Sequence, residues 1–168
     1  MPLRHVDPTQ RPSAVARALN KSSRSRFGQF LARRVAPKVD PWLGRISNGR
    51  ASLGMFNVPS ATLKTTGAKS RQLREAQVAY FHDGRDVVVI ASNYGGDRHP
   101  QWYHNLTAHP DCELGDEAFR AAEVTDPDDY ARLFGLAERH FDLFADYRAK
   151  SALTGRKIPV FRLTRRDG

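Results

Sequence analysis

The stretch Val87–Leu106, VVVIASNYGGDRHPQWYHNL, decides the reading of this chain. Val87, Val88, Val89, Ile90 and Ala91 form an unbroken, largely β-branched apolar run, too short for a helix of its own, which predicts a buried strand. The run stops at Ser92-Asn93-Tyr94-Gly95-Gly96, a small polar turn whose glycines let a ligand approach the backbone closely. Pro100 then suits the first position of a helix, and Trp102, Tyr103 and Leu106 follow at helical spacing. A strand end, a glycine turn and a helix start carrying Trp and Asn make a cradle for a flat polar ring. The plain alternative is a β–α corner with a core tryptophan.

Working outward, Asp83-Gly84 is a favoured hairpin dipeptide, and it joins a strand at Leu73–Phe81 to the one at Arg85–Ala91. Ahead of these lie a short strand, Ala61–Thr66, and a polar, basic loop, Gly67–Gln72. Beyond the helix Pro100–Ala108, strands Cys112–Leu114 and Ala118–Val124 flank a second hairpin signal, Gly115-Asp116. Asp126 or Asp128 caps a helix that runs to about His140, with Tyr130, Leu133, Phe134 and Ala137 on one face. A further helix, Leu143–Leu153, and a last strand, Ile158–Leu163, complete the set. Hairpin-joined strands with inserted helices predict an antiparallel sheet or barrel of the α+β kind rather than a doubly wound fold.

The N-terminal third differs in character. Residues 1–38 hold nine Lys and Arg against one acid, Asp7, whereas the remaining 18 basic and 17 acidic residues nearly cancel. The basic charge therefore belongs to an arm and not to the folded body, which argues against a nucleic-acid-binding domain. Residues 1–12 carry three prolines and no periodicity, and are expected to be disordered. Residues 13–36 read as an amphipathic helix with Val15, Ala18, Leu19, Phe27, Phe30, Leu31 and Val35 on its apolar face. Three readings fit that helix: packing on its own body or a dimer mate, contact with an anionic membrane surface, or a cleaved or disordered segment. Residues 1–57 are thus set apart as arm, helix and linker, and 58–168 as one folded domain.

At 168 residues, the chain is long enough for one domain that buries a sizeable core. No apolar run approaches the roughly 18 residues of a membrane span, and the single Cys112 excludes an internal disulfide. Both point to a cytoplasmic protein, with the arm placing it peripherally on the inner membrane face. Cys112 lies between Asp111 and Glu113, surroundings that raise a thiol's pKa and disqualify it as a nucleophile.

Other chemistries find little support. Thr65–Arg71 (TTGAKSR) is not a P-loop, because the upstream glycine is missing and Lys69 is displaced by one residue. It remains a strand-end loop with hydroxyls, backbone N–H groups and nearby Lys69, Arg71 and Arg74, which suits a phosphate or carboxylate. His99, His104 and His109 are spaced by five, which does not align metal ligands on one helical face. No G-x-S-x-G elbow supports a hydrolase triad around Ser92. Phe141, Phe144 and Tyr147 are core by default, although an aromatic wall over a flat ring uses the same residues.

Taken in order, T-T-G-x-K-S (Thr65–Ser70), Arg74, Tyr80, D-G (Asp83-Gly84), A-S-N (Ala91–Asn93), H-P-x-W-Y-x-N-L (His99–Leu106), Pro110, A-D-Y (Ala145–Tyr147) and I-P-V (Ile158–Val160) resemble the deazaflavin (coenzyme F420)-dependent nitroreductase family. The resemblance covers roughly Val58–Leu163. It implies a split β-barrel of the FMN-binding-like kind, and hydride transfer from reduced deazaflavin to a quinone-like or nitroaromatic acceptor. It implies that Thr66, Gly67, Ala68, Lys69, Ser70 and Arg74 meet the cofactor's phosphate and acidic tail. Ile90, Ala91, Ser92 and Asn93 then lie along the ring, with Gln101 and Trp102 near it, and Gln77 is a further cofactor-binding residue. Phe141, Phe144 and Tyr147 form the substrate pocket, with Ser92 and Tyr147 as the catalytic hydrogen-bonders.

The chain departs from the family pattern in three places. Ala68 stands where Arg is common and Arg71 where Gly is common. Phe141 and Phe144 stand where Tyr is frequent, and the segment Ser151–Thr154 is slightly longer. The alternatives are a non-catalytic deazaflavin carrier, a membrane-surface protein whose arm is the working part, or an FMN or haem binder on the same fold.

Overall fold

The computed structural model describes residues 3–9, 58–141 and 143–166. Six antiparallel strands close into a barrel in the order β1-β2-β3-β6-β5-β4. They are β1 (Ser60–Thr66), β2 (Leu73–Asp83), β3 (Asp86–Ile90), β4 (Asp111–Leu114), β5 (Glu117–Glu123) and β6 (Val160–Arg165). Three helices are inserted: α1 (Gln101–Ala108) between β3 and β4, then α2 (Pro127–His140) and α3 (Leu143–Ala152) between β5 and β6. The predicted α+β split barrel is therefore the observed fold. The predicted helix at residues 13–36 lies outside the described residues.

Each strand follows from its side-chain pattern. In β1 every second residue is buried, placing Ala61, Leu63 and Thr65 on the inner face. Four of the five residues of β3 are buried, because the barrel covers one face and the helices the other. Both hairpins turn where expected, with Gly84 at φ 65° and Gly115 at φ 64°, conformations that cost glycine little. At the start of α2 the Asp126 carboxylate accepts the Asp129 N–H at 2.8 Å and Pro127 fills the first turn, so Asp126 is the cap.

Register fixes which residues look inward. Tyr80 pairs with Val89 and Val89 with Phe161, so these three share a face. Phe161 meets the rings of Trp102 and Tyr103, at centroid distances of 6.0 and 5.8 Å, so α1 packs against that same face.

Most element ends shift by one or two residues from the sequence reading, and two departures have a clear physical reason. The last strand begins at Val160 rather than Ile158; Pro159 has no N–H to give a ladder, and its carbonyl instead accepts the Ala91 N–H at 2.9 Å. The expectation of disorder over residues 1–12 fails for residues 3–9. The Val6 N–H donates to His82 Nδ1 at 3.1 Å, and the His82 N–H donates back to the Val6 carbonyl at 2.8 Å. The Tyr80 hydroxyl donates to the Arg4 carbonyl at 3.0 Å. Proline-rich backbone without periodicity can still order when a strand end offers unpaired groups and one apolar side chain, here buried Val6, reaches the core.

Candidate active site

The end of β3, the start of α1 and the face of α3 converge on one pocket. β2 contributes Gln77, Val78 and Ala79, and β3 contributes Ile90. The following turn adds Ser92, Asn93 and Tyr94, and Pro100 and Trp102 come from the start of α1. Phe141, Leu143, Phe144 and Tyr147 close the far wall, with Val58 at the edge. Eight of the anticipated residues thus meet in one place: Gln77, Ile90, Ser92, Asn93, Trp102, Phe141, Phe144 and Tyr147. Tyr94 joins them unannounced, since a tyrosine in a polar turn carries no periodic signal.

The turn is held in an unusual shape. Asn93 and Tyr94 have φ of 46° and 55°, two consecutive non-glycine residues in the left-handed region, followed by Gly95 at 72°. Hydrogen bonds hold it: the Gly95 N–H reaches the Ser92 carbonyl at 3.0 Å, and Asn93 Nδ2 donates to the Arg98 carbonyl at 2.8 Å. Glycine is required at position 95 by space as well. A Cβ there would lie 2.9 Å from both Cα and O of Tyr147. The turn therefore rests directly on the backbone of the helix that carries the aromatic wall.

The wall is a chain of rings. Phe141 and Phe144 stand 5.8 Å apart, Phe144 and Tyr147 another 5.8 Å, and Tyr147 meets Tyr94 edge-on at 6.1 Å. Opposite them, Nε2 and Oε1 of Gln77 are both buried without a partner among the described residues. An orphaned amide in an apolar pocket costs stability unless a ligand satisfies it. A heteroaromatic ring edge bearing adjacent carbonyl and N–H groups, as in a deazaflavin, supplies both a donor and an acceptor to it.

The basic loop follows the end of β1 and is joined to α1 through Asn105. Gly67 N–H donates to the Gln72 carbonyl at 2.8 Å and Arg71 N–H to the Gly67 carbonyl at 2.9 Å. Arg71 has φ 58°, a left-handed backbone that glycine adopts at least cost. Asn105, three residues after Trp102 and fully buried, accepts the Ala68 N–H at 3.0 Å and donates to Thr65 Oγ1 at 3.0 Å. Ala68's N–H is thereby committed within the protein. Lys69 and Arg71 make no ion pair among the described residues. Arg74 Nη2 donates to Gln72 Oε1 at 3.3 Å. Thr66, Gly67, Ala68, Lys69, Ser70, Arg74, Ala91 and Gln101 do not line the aromatic pocket; α1 links the two regions through Trp102 and Asn105.

The partners of Asn105 and Arg156 could not be read from the sequence: Asn105 bonds to Thr65 and Ala68, and Arg156 to Ala91, Ser92 and Ser151. Asn105 stood inside the N-L motif, where a buried asparagine on a helix was the available signal. Arg156 follows Thr154-Gly155, where a single arginine carries no motif or periodic signal. Cys112 behaves as expected: burial, with Asp111 and Glu113 beside it, pushes its thiol up to about 12.

A closed antiparallel barrel with helices inserted around a ring-lined pocket at one strand end is the architecture of the split-barrel, FMN-binding-like proteins. Comparison with known proteins narrows this. Residues 36–165 match the family model for F420H(2)-dependent quinone reductase, and the chain belongs to that family of oxidoreductases, whose cofactor is coenzyme F420 and whose reaction is hydride transfer from F420H(2) to a quinone. An F420H(2)-dependent quinone reductase of Mycobacterium tuberculosis H37Rv is 41% identical over 115 residues, which is 64% of this chain and 74% of that protein. Among solved structures, an F420H(2)-dependent reductase superposes with a TM-score of 0.53 at 30% identity, covering 62% of this chain and 93% of that one. A domain-swapped dimer superposes with a TM-score of 0.55 at 28% identity, covering 74% and 96%.

Proposed function

We propose that this chain reduces a quinone in the pocket between β2, the Ser92–Tyr94 turn and α3, with the deazaflavin ring lying along Ile90–Asn93 and Trp102. The observation that carries this is Gln77, whose buried amide has no partner among the described residues where the ring edge would lie. Lys69 and the neighbouring cations Arg71 and Arg74 would hold the phosphate and acidic tail by charge-assisted hydrogen bonds. Ser70 adds a hydroxyl to that end.

When bound, the reduced deazaflavin supplies the hydride. The protein's part is positioning and electrostatics. Phe141 and Phe144 exclude water and press the acceptor's flat face toward the turn. The Ser92 and Tyr147 hydroxyls are the donors placed to steady negative charge developing on the acceptor oxygen. With phenylalanine at positions 141 and 144, the wall is apolar, which favours a quinone over a nitroaromatic acceptor.

The reading is tested by titrating the purified full chain in parallel with coenzyme F420 and with FMN, followed by fluorescence. Binding of F420 in preference to FMN, and oxidation of F420H(2) by an added quinone, are the expected results. Preference for FMN, or F420 binding without turnover of any quinone, refutes it.

A second reading concerns the arm. The excess of nine basic residues over one acid in residues 1–38 supports peripheral docking on an anionic, cytoplasmic membrane face, where a lipid-soluble quinone resides. Among the described residues no helix is long and apolar enough to cross a membrane. Co-sedimentation with anionic vesicles should fall as salt rises and vanish when residues 1–36 are removed. Sedimentation insensitive to both would refute it. The same purified chain, sized by light scattering, shows whether it forms a homodimer.

A further inference from the structure

Arg156 is half-buried behind the pocket and makes no ion pair with any acid among the described residues. Its guanidinium is instead spent on four neutral acceptors. Nη1 donates to the Ala91 carbonyl at 3.2 Å and lies 3.2 Å from His99 Nδ1. Nη2 donates to the Ser92 carbonyl and to Ser151 Oγ, the latter at 3.0 Å. These acceptors belong to three different walls. Ala91 and Ser92 begin the strained turn, His99 immediately precedes the pocket residue Pro100 and helix α1, and Ser151 lies one turn beyond Tyr147 on α3.

We propose that Arg156 is the positioning residue of this pocket, a planar clamp that holds the turn, the start of α1 and α3 at the separation a flat ring requires. The proposal deepens the deazaflavin reading and rests on it. A guanidinium suits the task because its donors are fixed in one plane and point in several directions; an ammonium offers a point charge without that geometry. The neighbouring turn gives the clamp something to hold, since two left-handed non-glycine residues persist only where the surroundings over-determine them.

The clamp has a signature at His99. Every Arg156 nitrogen is a donor, so His99 Nδ1 must be the acceptor and its proton must sit on Nε2. The groups facing this ring are Arg156, the stacked Tyr103 ring at 4.3 Å and the His104 ring at 6.2 Å, with Asp97 the carboxylate felt by Arg156. Burial first, then Arg156 and His104, hold the His99 imidazole below its ordinary titration range.

Nitrogen NMR of the histidine rings in the ligand-free full chain, together with fluorescence titration by F420, tests this in wild type, Arg156→Lys and Arg156→Gln. In wild type, His99 should be the Nε2–H tautomer and titrate below a free histidine; in Arg156→Gln its titration should move upward. Both variants should bind F420 at least about tenfold more weakly, and Arg156→Lys should fail to rescue although it keeps the charge. Thermal unfolding identifies variants that have lost the fold. Should Arg156→Gln be one of these, the wild-type tautomer and the lysine variant still decide. A wild-type Nδ1–H tautomer, or a folded Arg156→Lys protein with undiminished F420 affinity, overturns the proposal. A wild-type protein with the expected tautomer that binds no F420 refutes the deazaflavin reading while supporting the clamp itself.

Discussion

Asn105 and Thr65, forty residues apart in sequence, are joined by a 3.0 Å hydrogen bond from the amide Nδ2 to the threonine Oγ1. The other end of the same amide accepts the Ala68 N–H. One buried side chain thus ties α1, the end of β1 and the basic loop together, and through α1 it ties the loop to Trp102. Replacing Asn105 by Ala removes the amide and leaves a buried hydroxyl and a backbone N–H without it. Denaturant unfolding should show a loss of about 2–3 kcal/mol, and F420 affinity should fall with the loosened loop. Full wild-type stability in Asn105→Ala would remove Asn105 from this role.

Glycines 95 and 84 make a matched pair. Both have positive φ, but nothing lies within 4 Å of a Cβ built at Gly84, whereas Gly95 presses on the Tyr147 backbone. Gly84→Ala should therefore cost about 1 kcal/mol, the conformational term alone. Gly95→Ala adds a clash that displaces α3 from the turn, and should cost at least about 2 kcal/mol and reduce quinone turnover. Equal costs would show that the turn–helix contact is not tight.

Asp83 closes an ion network between the barrel and α2. Arg132 of α2 grips both its oxygens, at 2.9 and 2.7 Å, and Arg162 of β6 adds a third hydrogen bond at 2.8 Å. These bonds, Arg132 foremost, lower the Asp83 carboxyl to about 2. An unfolded aspartate titrates near pH 4, so the unfolded chain takes up the proton first. The stabilisation is thus fully present above about pH 4 and is lost as pH falls from there toward 2. Because Arg132 is half-exposed, Asp83→Asn should cost only about 1–2 kcal/mol at neutral pH, and it should flatten the acid limb of the stability profile. Asparagine suits the adjoining hairpin turn, so the turn itself is spared.

Lys69 and Tyr147 should separate binding from turnover. Lys69→Ala removes a cation that has no ion pair among the described residues, and should weaken F420 binding about tenfold or more, increasingly so at low salt. Tyr147→Phe keeps the ring and removes only the hydroxyl, so F420 affinity should stay near wild type while kcat for quinone falls by about tenfold. Unchanged turnover of every quinone tried in Tyr147→Phe would discard that hydroxyl's role.

Local chemistry made much of this molecule legible in its sequence. The all-apolar run 87–91, the two glycine hairpins and the Asp126 cap each depend on a few neighbouring residues, so their signals survive in one dimension. The pocket residues Ile90, Ser92, Asn93 and Trp102 stood out because a strand, a turn and a helix follow each other directly. The docking of residues 3–9 did not show, since it depends on unpaired groups at the far end of β2. Nor did the clamp at Arg156, whose acceptors lie between five and 65 residues away in sequence. The chain's own order determined the strands, turns, helices and their hydrophobic faces, because hydrophobic periodicity and turn chemistry are local. Only the closed barrel decided which polar groups meet and which, like the Gln77 amide, find no partner among the described residues, because hydrogen-bond pairing in a core is set by three-dimensional neighbours.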